Sequence, residues 1–132
     1  VANADLVVDC APVFEERFAL NSACVAQGKP MVEAAVFELQ GQLTTLLPGV
    51  TPCLACIYPE LPQLWKRQFP VFGAVSATVG AMAAMEAIKQ IAGIGELLTG
   101  QLLTYDLRTM TFDRRRLRRA PDCPVCQGCG RS

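Results

Sequence analysis

Residues 5–36 read DLVVDCAPVFEERFALNSACVAQGKPMVEAAV, and this stretch decides the fold. Asp5 to Asp9 is a bare apolar run bounded by acids, the pattern of a short strand buried in a parallel sheet. Pro12 follows in a turn. From Phe14 to Gln27 the spacing becomes helical. Phe14, Phe18, Ala19, Cys24 and Val25 share an apolar stripe, and Gly28-Lys29-Pro30 stops it. Met31 to Val36 is a second strand, so residues 5–36 form a βαβ-like unit and the expected class is α/β.

Reading outward, Gln40 to Leu47 (QGQLTTLL) has the β-branched character of a further strand. Pro48, Gly49 and Pro52 then lead into Cys53. Residues 58–70 are proline-rich and lack a clean period, which predicts an irregular crossing loop. Trp65 and Phe69 in that loop either grip a partner's tail or cover core. Phe72 to Ala92 predicts a long, closely packed, buried helix closed by Gly93 and Gly95, with Glu86 and Lys89 paired three apart. The apolar run from Val71 to Ala87 is short for a membrane span and rich in Gly and Ala. Gln101–Asp106 and Met110–Leu117 predict two antiparallel strands, with Asp106 capping the turn between them. No internal repeat or low-complexity linker is present.

Composition narrows the chemistry. At 132 residues, 52% hydrophobic and 18% charged, the chain fits one domain and excludes disorder, because it can bury enough surface to offset its ordering entropy. Twelve basic residues balance twelve acidic ones, so nucleic acid is not an expected partner, and neither is a membrane. There is no histidine, which removes Ser-His and Cys-His catalytic pairs and histidine metal ligands. The chain opens VANADLVVDC, with no initiator Met and no basic leader, and reads as a piece of something longer. Paired cysteines without a secretion signal favour a reducing, cytoplasmic setting.

Seven cysteines carry the sharpest signal. Cys53 and Cys56 form one C-x-x-C, and Cys123 and Cys126 form another. Each pair can present two sulfurs from a tight knuckle, and two knuckles complete a tetrahedron suited to Zn²⁺. An Fe–S cluster and a redox C-x-x-C are the alternatives. The pairs lie far apart in sequence, so a metal would tie the C-terminal tail back onto the body. Cys129 is a competing ligand or a spare thiol. Cys10 and Cys24, on apolar elements, read as buried structural cysteines. Arg114, Arg115, Arg116, Arg118 and Arg119 read as a solvated strand end or, alternatively, a surface for an anionic partner.

Taken in order, these motifs resemble the ThiF/MoeB/HesA family, bacterial relatives of ubiquitin-activating enzymes. The likeness runs from DCAPVFEERFALNSACVAQGKPMVEAA through GQL (residues 41–43) and CLAC (53–56). It continues through GAVSATVGAMAAMEAIKQIAGIGELLTGQLLTYD and ends at CPVC. The resemblance implies a Rossmann-like adenylating domain, of which this chain is the C-terminal portion. It also implies zinc on the four cysteines, MgATP as cosubstrate, and a homodimer. The implied reaction is adenylation of the C-terminal Gly-Gly of a ubiquitin-like sulfur carrier, for thiamin, molybdopterin or related pathways. The Gly-rich ATP-binding turn belongs to the family's first half, and no G-x-G-x-x-G precedes a helix in these 132 residues.

Two departures matter. The family usually reads D-C-T-D-N where this chain has Asp9-Cys10-Ala11-Pro12-Val13, so Pro12 replaces the acid implied to organise Mg²⁺. The acceptor cysteine that some members carry in the crossing loop aligns with Lys66, Arg67 and Gln68, which makes covalent relay doubtful. Arg17 and Asn21 match the family's R-x-x-L-N segment and imply support of the nucleotide pocket, against a surface residue paired with a neighbouring Glu. Two readings therefore stand: an adenylyltransferase, or a catalytically degenerate zinc-stabilised interaction module.

Overall fold

The computed structural model describes residues 1–60 and 70–129. Its elements, in chain order, are β1 (Val7–Asp9), α1 (Phe14–Gln27), β2 (Met31–Phe37), β3 (Gln40–Leu46), α2 (Leu54–Ile57), α3 (Gly73–Ala92), β4 (Gln101–Asp106) and β5 (Thr111–Arg116). The five strands form one sheet in sequence order. β1 runs parallel to β2, pairing Val7 with Met31 and Asp9 with Glu33, and the other three ladders are antiparallel. The βαβ unit is as expected, and a mixed α/β sheet results.

α1 ends as its sequence dictates. Gly28 takes the left-handed conformation (φ 64°), its N–H and that of Lys29 bond back to Val25 and Cys24, and Pro30 cannot continue the helix. The two faces of the sheet then fill by the period-two rule. Val32, Ala34, Leu43 and Tyr105 pack against Val75, Val79 and Ala83 of α3. Met31 and Leu46 pack on the other face with Cys24 of α1 and Leu54 of α2. The sheet is thus the middle layer, with α1 and α3 on opposite sides.

Gly41 and Tyr105 are register partners, and a Cβ at Gly41 would lie 2.2 Å from the tyrosine ring. The ring fills the space that the glycine leaves, and its hydroxyl donates to the Val75 carbonyl at 3.1 Å, joining sheet to helix. A second tie uses Glu86. Buried on α3, its Oε2 accepts from the Thr45 hydroxyl (2.6 Å) and the Leu98 N–H (2.8 Å), and its other oxygen pairs with Lys89. Burial alone would raise this carboxyl, but the hydrogen bonds from Lys89, Thr45 and Leu98 hold it below the usual glutamate range.

Three expectations need correction. β1 is three residues long rather than five, and Val8 is exposed, because β1 is an edge strand with one face uncovered. α3 is not buried all round: Val75, Val79, Ala83 and Glu86 face the sheet, while Phe72, Met85, Ile88 and Ile91 are exposed. A helix packed on one side of a sheet can cover only one of its faces, so the apolar residues on the other face stay in solvent. Cys10 is exposed rather than buried, since alternation after the inward-facing Asp9 turns it outward. Cys24 is buried, as expected.

Candidate functional site

The two knuckles meet. Cys53 precedes α2 and Cys123–Cys126 lie in the tail beyond β5, yet the four sulfurs are all within 4.8 Å of one another. Sγ of Cys53 lies 3.6 Å from Sγ of Cys123, and Sγ of Cys56 lies 3.4 Å from that of Cys126. A tetrahedron with metal–sulfur bonds of about 2.3 Å needs sulfurs roughly 3.8 Å apart, a spacing close to those two distances and inside the 4.8 Å bound on the whole cluster. All four are free thiols, too far apart for S–S bonds. Burial raises the Cys123 thiol, but the N–H groups of Cys126 and Val125 outweigh it and bring the group to about 7. Burial and hydrogen bonding with the neighbouring thiols push Cys126 up. The donor set fits a thiolate-bound metal ion, which would deprotonate the remaining sulfurs on binding.

Arg119 fastens the knuckles from outside. Its Nη1 donates to the Cys129 carbonyl (2.7 Å) and its Nη2 to the Thr51 carbonyl (2.9 Å), bridging the segments that carry the two pairs. The basic run therefore divides. Arg114, Arg115 and Arg116 lie exposed on β5 and Arg118 is exposed after it, whereas Arg119 is a structural latch. Cys129 packs beside the cluster without being one of its four members.

The second centre lies under α1. Arg17, Asn21 and Cys24 form the buried face of this helix, so both family-matched residues point into the core rather than to solvent. The Arg17 guanidinium donates to Glu33 Oε1 (2.7 Å), to the Ala34 carbonyl (2.6 Å) and, through Nε, to the Ala11 carbonyl (3.0 Å). Asp9 Oδ2 lies 3.8 Å from Nε. Burial pushes the carboxyls of Asp9 and Glu33 up, and Arg17 pulls the other way without cancelling the rise. Asp9 Oδ2 and Glu33 Oε2 have no hydrogen-bond partner among the described residues. Asn21 Oδ1 accepts the Leu54 N–H at 2.9 Å and so holds the start of α2, between Cys53 and Cys56. Composition does not reveal Asp9 and Glu33 as partners. A lone carboxylate inside the apolar run MVEAAV, opposite an arginine on the helix, is the signal that could have found them.

A cleft of about 790 Å³ opens where β1 stops and β2 continues. Arg17, Pro12, Gln42 and Tyr58 line one part of it, and Asp106, Asp113 and Arg115 line the rim. Pro12 brings no carboxylate to the place where the resemblance implies a magnesium ligand. Asp106 is engaged with Gln40 and with the Arg108 N–H, as a turn cap. The described residues therefore do not fit a magnesium site of the family pattern, and no phosphate-cradling glycine turn is among them. Trp65, Lys66, Arg67, Gln68 and Phe69 lie outside the described residues. No described helix is long and apolar enough to cross a membrane.

A profile of the ThiF family matches residues 1–125. The chain belongs to the ThiF family. A heterocyst HesA protein of Trichormus variabilis is 55% identical over 126 residues, an alignment covering 96% of this chain and 47% of that protein. A protein of Drosophila ananassae named adenylyltransferase and sulfurtransferase MOCS3 is 42% identical over 127 residues, covering 92% of this chain and 28% of its own. This ThiF-family chain thus spans about half the length of the HesA protein and less of the insect one. Escherichia coli MccB, solved with MccA-N7isoASN, superposes with a TM-score of 0.80 at 22% identity, over 97% of this chain and 42% of MccB. The ThiF-type adenylating fold is therefore shared between the two.

Proposed function

We propose that this chain is the C-terminal portion of an adenylating domain that activates the C-terminal Gly-Gly of a ubiquitin-like sulfur carrier with MgATP. The carrying observation is that the family's R-x-x-L-N residues are buried rather than left on the surface, and that Arg17 lines the cleft. Arg17 forms its floor, and Asn21 ties that floor to the metal knuckle through the Leu54 N–H. Nucleotide binding is assigned to a preceding half of the domain that would supply the glycine-rich turn. Arg17, with Asn21 behind it, supports the pocket from this side.

In the same proposal the metal is Zn²⁺ on Cys53, Cys56, Cys123 and Cys126, and its part is structural: when bound it ties the tail to the sheet. Four thiolates with no open position suit a closed structural site. The working protein is a cytoplasmic homodimer, and the carrier serves thiamin, molybdopterin or a related sulfur pathway. An adenylate of this kind can pass to a separate sulfur donor, so no acceptor cysteine is needed in the crossing loop. The test is mass spectrometry of a Gly-Gly carrier incubated with the intact protein and MgATP. A carrier adduct with the mass of AMP supports the proposal, and an unmodified carrier contradicts it.

A second reading rests on Pro12. Without a carboxylate there, the protein would be a zinc-stabilised interaction module of the same fold that binds a carrier without activating it. Substituting Pro12→Asp separates the two. A gain of adduct from a silent parent would favour the module, and a parent active without the change would exclude it.

A further inference from the structure

Gln42 sits in the family-like GQL segment, on the wall of the cleft, and its amide orientation is dictated by chemistry. Nε2 lies 3.0 Å from Glu33 Oε1 and 2.6 Å from the Tyr58 hydroxyl. An ionised carboxylate oxygen can only accept, and Glu33 Oε1 already takes a hydrogen from Arg17, so the amide nitrogen must be the end that faces it. Both hydrogens of Nε2 are then committed, one to Glu33 and one to Tyr58. Two valences remain. Gln42 Oε1 has no donor among the described residues, and the Tyr58 hydroxyl, which accepts from Gln42, still has its own hydrogen to give.

Both residues line the cleft, and both are held in place. Gln42 is fixed by the buried Arg17–Glu33 pair, and Tyr58 by its edge-on contact with Phe14, ring centroids 5.3 Å apart. Burial and the nearby Glu33 keep the phenol protonated, so it donates at neutral pH. On β2 the register partner of Gln42 is Ala35, whose methyl leaves the amide uncovered.

We propose that Gln42 Oε1 and the Tyr58 hydroxyl form a matched acceptor and donor that read one peptide unit of an extended chain lying in the cleft. The amide N–H of the chain would meet Gln42 and its carbonyl would meet Tyr58. A chain ending in Gly-Gly suits this contact, since it carries no side chain to clash with the wall. This assignment rests on the proposed carrier reading and adds the residues that would position the tail. Neither residue touches the bond that is made. They are positioning residues.

The test uses a synthetic peptide ending in Gly-Gly, titrated into the intact protein without nucleotide and followed by NMR. Tyr58→Phe removes one hydroxyl and keeps the ring against Phe14. The expected result is a peptide affinity about tenfold weaker in Tyr58→Phe, with zinc content unchanged and the melting temperature lowered by no more than the loss of the one hydrogen bond from Gln42. A peptide in which an ester replaces the amide that meets Gln42 should also bind about tenfold more weakly to the parent. Equal peptide affinity in parent and Tyr58→Phe overturns the assignment, and so does a parent that binds no Gly-Gly peptide. If peptide binding depends on Tyr58 but no carrier adenylate forms with MgATP, the assignment stands and the adenylation proposal fails.

Discussion

Arg17 shows how a local pattern can misplace a residue: read as a surface arginine, it is buried. On a helical wheel it competes with the apolar stripe of Phe14 and Phe18, and an arginine within reach of Glu16 looks like a surface residue. Two carboxylates on neighbouring parallel strands draw it inward instead. Removing it would leave Asp9 and Glu33 buried without a cation. Arg17→Met is therefore expected to cost about 3–5 kcal/mol in denaturant unfolding. Glu86 gives a pH-dependent counterpart. Its folded pKa is lowered, so its stabilising contribution is fully present above the unfolded value near 4.5 and is lost as pH falls through the folded value. Glu86→Gln should be less stable than the parent at pH 7, and melting temperatures should converge as the pH falls through the lowered folded value. At Arg119, bonds to two carbonyls on separate segments could not be read from a run of five arginines. Arg119→Ala should release bound zinc about tenfold faster to a colorimetric chelator while leaving the count of bound ions at one.

At the scale of elements, the strands and helices were largely legible, because their periods and stops are strong. Gly28-Lys29-Pro30 ended α1 where expected, and Asp106 capped the β4–β5 turn. Burial was less legible. Composition said that α3 is apolar, but not that only Val75, Val79, Ala83 and Glu86 would meet the sheet. Packing partners, rather than hydropathy, decide which side of such a helix is covered. The same limit hid the pairing of Gly41 with Tyr105, which depends on register between strands far apart in sequence. Gly41→Ala places a methyl into the tyrosine ring, and the expected loss is about 1–3 kcal/mol with a lower melting temperature.

For the whole molecule, the four-cysteine constellation was readable from spacing alone, and the distance between the pairs already implied a tie from tail to body. The tie can be tested by removing it. Cys53→Ser with Cys123→Ser should abolish stoichiometric zinc and free Arg119, otherwise bonded to Thr51 and Cys129, for cleavage by trypsin, whereas full retention of zinc in the double variant would refute the site. What spacing could not supply is the cleft, because the residues that line it, Arg17, Gln42 and Tyr58 among them, come from segments far apart in sequence. The central claim concerns activation of a Gly-Gly tail, and pyrophosphate exchange measures it most directly. Intact protein with saturating MgATP should exchange label between pyrophosphate and ATP when a Gly-Gly carrier is present, and should stop when the carrier's last two glycines are removed. Absence of exchange with the full carrier, or exchange that ignores the missing glycines, would contradict the account.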